Sequence, residues 1–228
     1  MGKAIEEIAE AGGDEIVLKI SEENIEMFTI ENIKQADVAI EFTSPHGAVD
    51  NIKKCFDAGV PVVCGTTGWL KDLDEVNLYC EQKNGAFLYA SNFSIGVNLF
   101  FALNDYLASL MSTHDEYDVS IEEIHHTQKK DAPSGTAITL AEQLLPKIKT
   151  KKNWINEKAN DITELEIISQ RIADVPGTHK IKYNSSTDAI EIIHTAHNRK
   201  GFASGAVLAA KFIAGKKGIF SMKDVLGL

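Results

Sequence analysis

Val60-Pro61-Val62-Val63-Cys64-Gly65-Thr66-Thr67-Gly68 is a short apolar run that stops at a glycine- and threonine-rich turn. Its valines read as a buried strand, and the glycines that follow let the chain turn at the strand's carboxyl end. A Gly-Thr-Thr-Gly turn on its own says little, so its neighbours decide the fold. Upstream, Ala36-Asp37-Val38-Ala39-Ile40-Glu41-Phe42 is a second such run, followed by Thr43-Ser44-Pro45. Downstream, Ala86-Phe87-Leu88-Tyr89-Ala90 is a third, followed by Ser91-Asn92-Phe93-Ser94. Helical segments over about 46–58 and 71–83 separate the runs, which is the alternation of a parallel sheet with crossover helices. Before them stand a helix over 3–11, with Ala4, Ile5, Ile8 and Ala9 on one face, and a further strand at Glu15-Ile16-Val17-Leu18-Lys19-Ile20. This half reads as Rossmann-like, and its three loops lie where such sheets bind ligands.

From about residue 96 the texture changes. A helix near 97–112 leads into a strand at 117–124, a helix near 136–146 and the connector Lys147-Ile148-Lys149-Thr150-Lys151-Lys152, read as a solvated turn. Strand-like segments follow at 164–172, 178–184 and 188–195, with alternation plain in Ala189-Ile190-Glu191-Ile192-Ile193-His194-Thr195. Successive strands of this kind predict a mixed or antiparallel sheet. The class is therefore α/β with a second, α+β part. A small-residue apolar helix, 205–214, ends at Gly215.

Within this second part, between the 117–124 strand and the helix near 136–146, lies Glu123-Ile124-His125-His126-Thr127-Gln128-Lys129-Lys130-Asp131-Ala132-Pro133-Ser134-Gly135-Thr136-Ala137. Pro133 favours a turn and a helix start, and Ser134 or Thr136 serves as the cap. Free N–H groups at that helix start attract an anion such as a carboxylate, and Gly135 lets it approach the main chain. His125, His126 and Lys129 add titratable donors and a fixed cation, the equipment for proton transfer to a developing carbanion or enamine. Asp131 is placed to orient a lysine or the loop. Singly, each of these residues fits an exposed loop equally well; the combination carries the reading. No metal site is expected, since adjacent histidines point apart and no Cys or Glu stands at ligand spacing with them. His114 reads as a surface residue, and His179, His194 and His197 as structural or exposed.

The chain has 228 residues, 44% of them hydrophobic and five proline, enough for one large domain or two small ones with a real core. A formal net charge of −10 argues against nucleic acid and anionic membrane surfaces as partners, both of which need a basic face. Cys55, Cys64 and Cys80 match neither a zinc nor a redox spacing and read as buried, reduced thiols. The N-terminus has acidic residues where a secretion signal would be apolar, and no run is long enough to span a membrane, so a cytoplasmic location is expected.

The 123–137 stretch resembles, position for position, the pattern Glu-x-His-His-x-x-Lys-x-Asp-Ala-Pro-Ser-Gly-Thr-Ala of the dihydrodipicolinate reductase family. Glu41-Phe42-Thr43-Ser44-Pro45, Gly65-Thr66-Thr67-Gly68, 90–98 and Arg199-Lys200-Gly201-Phe202-Ala203-Ser204-Gly205-Ala206 agree in order, so the resemblance spans nearly the full chain. It implies NADH- or NADPH-dependent reduction of a cyclic dicarboxylic imine in lysine and diaminopimelate biosynthesis. By the same resemblance His125 and Lys129 are catalytic, and His126, Gly135 and Thr136 join Lys129 in holding substrate carboxylates. Gly65, Thr66, Thr67, Ala90, Ser91, Asn92 and Phe93 meet the cofactor, with Arg199 near it. Residues 1–95 and 204–228 would form the dinucleotide-binding domain and 96–203 the substrate and oligomerisation domain, whose open sheet face builds a homotetramer. The rival readings are another nicotinamide oxidoreductase with an anionic substrate and a non-catalytic dicarboxylate-binding remnant.

One departure stands out. The family's opening pattern, Gly-x-x-Gly-x-Met-Gly, survives here only as Met1-Gly2, so the first strand and its phosphate-binding glycines are expected to be missing. A start placed late explains this better than a degenerate member, because the other site segments are intact. As written, the chain is expected to hold a dinucleotide weakly and to gain stability from about a dozen added residues, a strand plus a turn. Glu22 and Glu23 are candidates for the adenine ribose, with a helix cap at Ser21-Glu22-Glu23-Asn24 as the alternative.

Overall fold

The computed structural model describes residues 1–198 and 200–228. Arg199, singled out above, lies outside the described residues. The chain divides into two compact units, Met1–Ile95 with Lys200–Leu228 and Gly96–Arg199.

In the first unit, β1 (Ala39–Glu41), β2 (Val62–Cys64), β3 (Ala86–Tyr89) and β9 (Gly218–Phe220) form an all-parallel sheet in that order. Helices α1 (Gly2–Ala11), α2 (Ile30–Ile33), α3 (Pro45–Asp57), α4 (Leu73–Gln82), α7 (Lys200–Ile213) and α8 (Met222–Leu226) complete it. The three residues of β2 are all 0% exposed, which explains why the strand is apolar throughout instead of alternating. Val62 and Cys64 join a core with Ala48, Ile52 and Phe56 of α3 and Val76 and Cys80 of α4. Val63 turns the other way, with Leu88, into a core built with Ile5 and Ala9 of α1 and Ala203, Ala206 and Ala210 of α7. Helices thus cover both faces, and β1, β2 and β3 deliver their following loops to one edge.

The strand expected at 15–20 is not one: residues 14–21 carry no regular structure. A strand exists by its ladder, and no neighbouring strand pairs with this segment among the described residues. Ser21 and Asn24 cap a 3-10 turn, Glu22–Met27, with Ser21 Oγ accepting from the Glu23 N–H and Asn24 Oδ1 from the Ser21 N–H. The cap reading therefore fits Glu22 and Glu23, and no ligand role is read for them. Cys55, Cys64 and Cys80 are buried and unpaired, and burial pushes the Cys55 thiol up to about 12.

The second unit is a five-stranded mixed sheet, order β5-β6-β4-β7-β8, made of β4 (Asp118–His125), β5 (Asn153–Ile155), β6 (Glu164–Arg171), β7 (Gly177–Asn184) and β8 (Ala189–Ala196). β4 runs parallel to β6 and antiparallel to β7. Helices α5 (Ile95–Met111) and α6 (Gly135–Leu144) cover one face, where Val119, Ile121, Leu165, Ile167, Ile181 and Tyr183 meet Leu140 and Leu144. Asn104, 0% exposed on α5, donates to Leu140 O and Gln143 Oε1 and so ties the two helices together. On the opposite face Lys180 pairs with Glu122 at 2.7 Å, and Ile193 is left 57% exposed.

The lysine run is not simply a solvated turn. Lys151 is 5% exposed, and its ammonium donates to the carbonyls of Ile162 and Glu164 and meets Asp118 at 2.6 Å. Three oxygens replace its water, which is why a cation tolerates that position.

Candidate active site

The inward face of β4 changes character along its length. Ile121 pairs with Ile167 and Ile181, an apolar row; two residues on, Glu123 pairs with Ser169 and His179; two further, His125 pairs with Arg171. Alternation keeps all of these on the face that α6 covers, so a carboxylate and two imidazoles are buried where Val119 and Ile121 would predict more apolar side chains.

Glu123 is the hub, at 0% exposure. The Ser134 N–H donates to both carboxylate oxygens at 3.1 Å, and Ser169 Oγ donates at 2.8 Å. The Arg171 guanidinium lies 3.4 Å away, with His125 Nδ1 and His179 Nε2 each at 3.6 Å. Burial works against the charge, but the donors from His179, Ser134 and Ser169 outweigh it and hold the carboxyl well below the usual range.

The signature loop hangs on this hub. Ser134 is the cap of α6: its Oγ accepts from the Ala137 N–H at 3.2 Å and lies 3.1 Å from His179 Nε2. The N–H groups of Gly135 and Thr136 have no partner among the described bonds, and a Cβ at Gly135 would meet no atom within 4 Å. An open, unpaired helix start is what an anion needs. Lys129 meets Asp131 at 2.7 Å, so Asp131 does orient the lysine. Arg171 reaches over from β6, donating from Nε to Lys129 O at 3.3 Å and from a terminal nitrogen to Asp131 O at 2.6 Å.

His125 is 7% exposed and its ring stands 5.0 Å from that of His179. Burial and the neighbouring His179 drive its pKa down to about 4, with Lys129 and Arg171 acting the same way and Glu123 opposing. In the free chain it is neutral at pH 7. His126, past the strand end, is half-buried, and its Nδ1 has no hydrogen-bond partner.

Glu123, His125 and His179 offer ligand atoms within 4.8 Å of one another, so a Glu does lie beside a histidine at strand spacing, contrary to the sequence expectation. The arrangement is nevertheless that of an ion-pair network: the Arg171 cation already compensates Glu123, and Ser134 Oγ occupies His179 Nε2. Sequence reasoning gave Glu123 and Arg171 no role and set His179 aside as structural or exposed, whereas it is buried at 5% exposure. The usable signal was a glutamate in phase with Val119 and Ile121.

In the first unit, the residues expected at a cofactor divide in two. Thr66 and Phe93 are buried: Thr66 Oγ1 accepts from the Thr43 N–H at 2.8 Å, Thr66 O accepts from the Trp69 indole at 2.7 Å, and Phe93 packs 5.6 Å from Phe42. Thr67 and Ser91 are exposed, and Gly65, Ala90 and Asn92 half-buried, with Asn92 Oδ1 accepting from the Ser94 N–H at 2.9 Å. A Cβ at Gly205 would overlap the Phe93 carbonyl oxygen, so α7 lies directly against this loop.

An all-parallel sheet with helices on both faces, in a chain that also holds a mixed sheet, defines a two-part Rossmann-like α/β protein. Family profiles described as dihydrodipicolinate reductase, N-terminus and C-terminus, match residues 1–93 and 96–226. The chain is 50% identical over 226 residues, 99% of its length and 93% of the relative's, to a 4-hydroxy-tetrahydrodipicolinate reductase of Christiangramia forsetii. It is 37% identical to one from Methanoregula boonei, covering 86% of this chain and 76% of that one. A solved dipicolinate-bound dihydrodipicolinate reductase from Paenisporosarcina sp. TG-14 superimposes with a TM-score of 0.68 at 26% identity, covering 90% of this chain and 80% of that one. The chain belongs to the dihydrodipicolinate reductase family.

Proposed function

We propose that the chain reduces 4-hydroxy-tetrahydrodipicolinate, a cyclic dicarboxylate of lysine and diaminopimelate biosynthesis, with a nicotinamide cofactor. The observation that carries this is the open N-terminus of α6, led into by the loop that carries Lys129, on a chain half identical to a named reductase. The N–H groups of Gly135 and Thr136 receive one carboxylate of the substrate, while Lys129 and His126 supply further donors around it.

When bound, the cofactor supplies hydride. The loops after β2 and β3 fit it by their donor chemistry, through exposed hydroxyls at Thr67 and Ser91, the amide of Asn92 and main chain at Gly65 and Ala90. Thr66 and Phe93 shape those loops from inside and offer only main chain. The enamine left by hydride addition needs a proton, which Lys129 and His125 deliver as general acids. His125 starts neutral, and a dianionic substrate favours its charged form by simple attraction. The open face of the mixed sheet, where Ile124, Ile168 and Ile193 alternate with paired charges, builds the homotetramer. Three unpaired thiols agree with a reducing, cytoplasmic location. No helix among the described residues is long and apolar enough to cross a membrane.

The test is an assay of the purified chain with freshly generated 4-hydroxy-tetrahydrodipicolinate against simple keto acids, following nicotinamide absorbance with NADH and NADPH in parallel. Turnover of the cyclic dicarboxylate alone is expected. Equal or better turnover of keto acids would overturn the substrate; tight binding of pyridine-2,6-dicarboxylate without oxidation of either cofactor would overturn the activity. Sedimentation analysis checks the tetramer.

A further inference from the structure

The network around Glu123 lies behind the residues assigned above, and its wiring singles out one cation. Arg171 is held on one side by Glu123 and on the other gives its hydrogens to the carbonyls of Lys129 and Asp131. Those carbonyls bracket the Lys129–Asp131 ion pair. Glu123 meanwhile takes the Ser134 N–H on both oxygens, fixing the residue that caps α6. One carboxylate therefore reaches both parts of the site, the lysine loop through Arg171 and the anion-binding turn through Ser134.

We propose that Glu123 and Arg171 are positioning residues: a buried ion pair that sets the loop carrying Lys129 and the N-terminus of α6 in one fixed relation. This rests on the functional reading above for Lys129 and His125. A guanidinium suits the role because its rigid planar fork spreads the donors over separate nitrogens, Nε toward Lys129 O and the terminal nitrogens toward Asp131 O and Glu123, whereas an ammonium gathers all of its donors on one nitrogen. Neither residue needs to touch substrate. The pair also bears on the acid: the groups facing His125 are Glu123 on its own strand, Arg171 from β6, His179 from β7 and Lys129 from the loop, and Glu123 alone among them is negative.

Glu123→Gln keeps the shape and can still accept from Ser134 and Ser169, but it removes the charge. It is expected to lower kcat by about tenfold to a hundredfold, as misplacement of a catalytic group does, with KM moved less than about threefold. With the negative neighbour gone, the imidazolium of His125 is less favoured, so the fall of kcat with rising pH should begin at lower pH. Arg171→Ala should show the same split, and added guanidinium should restore part of its kcat while Arg171→Lys restores little. A substrate-free readout runs beside these: amide hydrogen exchange over residues 129–134 should quicken in both variants while the interior of α6 stays protected. Unchanged kcat and pH profile in Glu123→Gln, or unaltered loop exchange in both variants, would overturn the positioning pair. If the native chain fails to reduce the dicarboxylate, the exchange result still decides the pair, so the two failures remain distinct.

Discussion

Each unit buries one glutamate in its sheet, and the two are treated differently. Glu41, 6% exposed at the end of β1, is met by neutral donors: the Thr43 hydroxyl, and the Cys64 thiol at 3.0 Å. Glu123, 0% exposed near the end of β4, is met by a guanidinium, two imidazoles, a hydroxyl and a backbone N–H. Neutral donors satisfy a carboxyl and pack a core. A guanidinium held against a buried carboxylate costs desolvation, and the wiring of this pair into Lys129 and Ser134 gives that cost a use.

The largest expected effect separates the chemistry from the hub. Lys129→Ala or His125→Gln should leave the melting temperature nearly unchanged and slow turnover by about 10²–10⁴, the range for lost proton transfer. Steady-state kinetics beside thermal melts checks it; near-native kcat in both variants would remove these residues from the mechanism.

Next comes the comparison itself. Glu123→Ala strands the Arg171 cation and the Ser134 N–H, and is expected to cost about 3–5 kcal/mol, the range for breaking a buried ion pair. Glu41→Ala strands a hydroxyl and a thiol, and is expected to cost about 1–3 kcal/mol. Urea unfolding of the two variants measures the gap, and equal losses would erase the distinction between the two carboxylates.

Acid should find the same contrast. His125 has its folded pKa depressed from 6.5 to about 4, so between those values the unfolded chain binds more protons and stability falls as pH falls. Glu123, depressed below its ordinary 4.5, continues the loss at lower pH, since the unfolded carboxyl takes a proton that the folded one refuses. His125→Gln removes the upper part, worth about 3 kcal/mol at most. Its stability should therefore change less between pH 6.5 and pH 4 than that of the native chain, as read from urea midpoints.

The sheets and the site loop were legible in the sequence for different reasons. Val62, Val63 and Cys64 announce a strand covered on both faces, and alternation in 189–195 announces a strand with one open face. Residues 15–20 carried the same local signal and failed, because a strand requires a neighbour and composition does not report one. β5 and β9, three residues each, are too short to carry a period. At the site, His125, Lys129 and Gly135 were visible as reactive or permissive residues close in sequence. Glu123, Arg171 and His179 come from three strands, and only register brings them together. A lysine run concealed Lys151 in the same way, since its three oxygens come from residues 118, 162 and 164.

The smallest effect tests what each unit asks of a glycine. At Gly205 an added Cβ would overlap the Phe93 carbonyl, so Gly205→Ala must push α7 or the 93–94 loop aside, an overpacking cost of about 1–3 kcal/mol. At Gly135 nothing lies within 4 Å, and alanine is a better helix former, so Gly135→Ala should be neutral or more stable by up to about 1 kcal/mol. The same methyl would stand beside the unpaired N–H groups of Gly135 and Thr136, where the carboxylate is proposed to dock. Gly135→Ala should therefore bind pyridine-2,6-dicarboxylate more weakly while melting no lower than the native chain, whereas Gly205→Ala should melt lower and bind it normally. Calorimetric titration with that dicarboxylate beside thermal melts reads both. If Gly135→Ala binds it with native affinity, the anion does not approach α6 from the open side, and Lys129 and His126 must hold the carboxylate without the helix start.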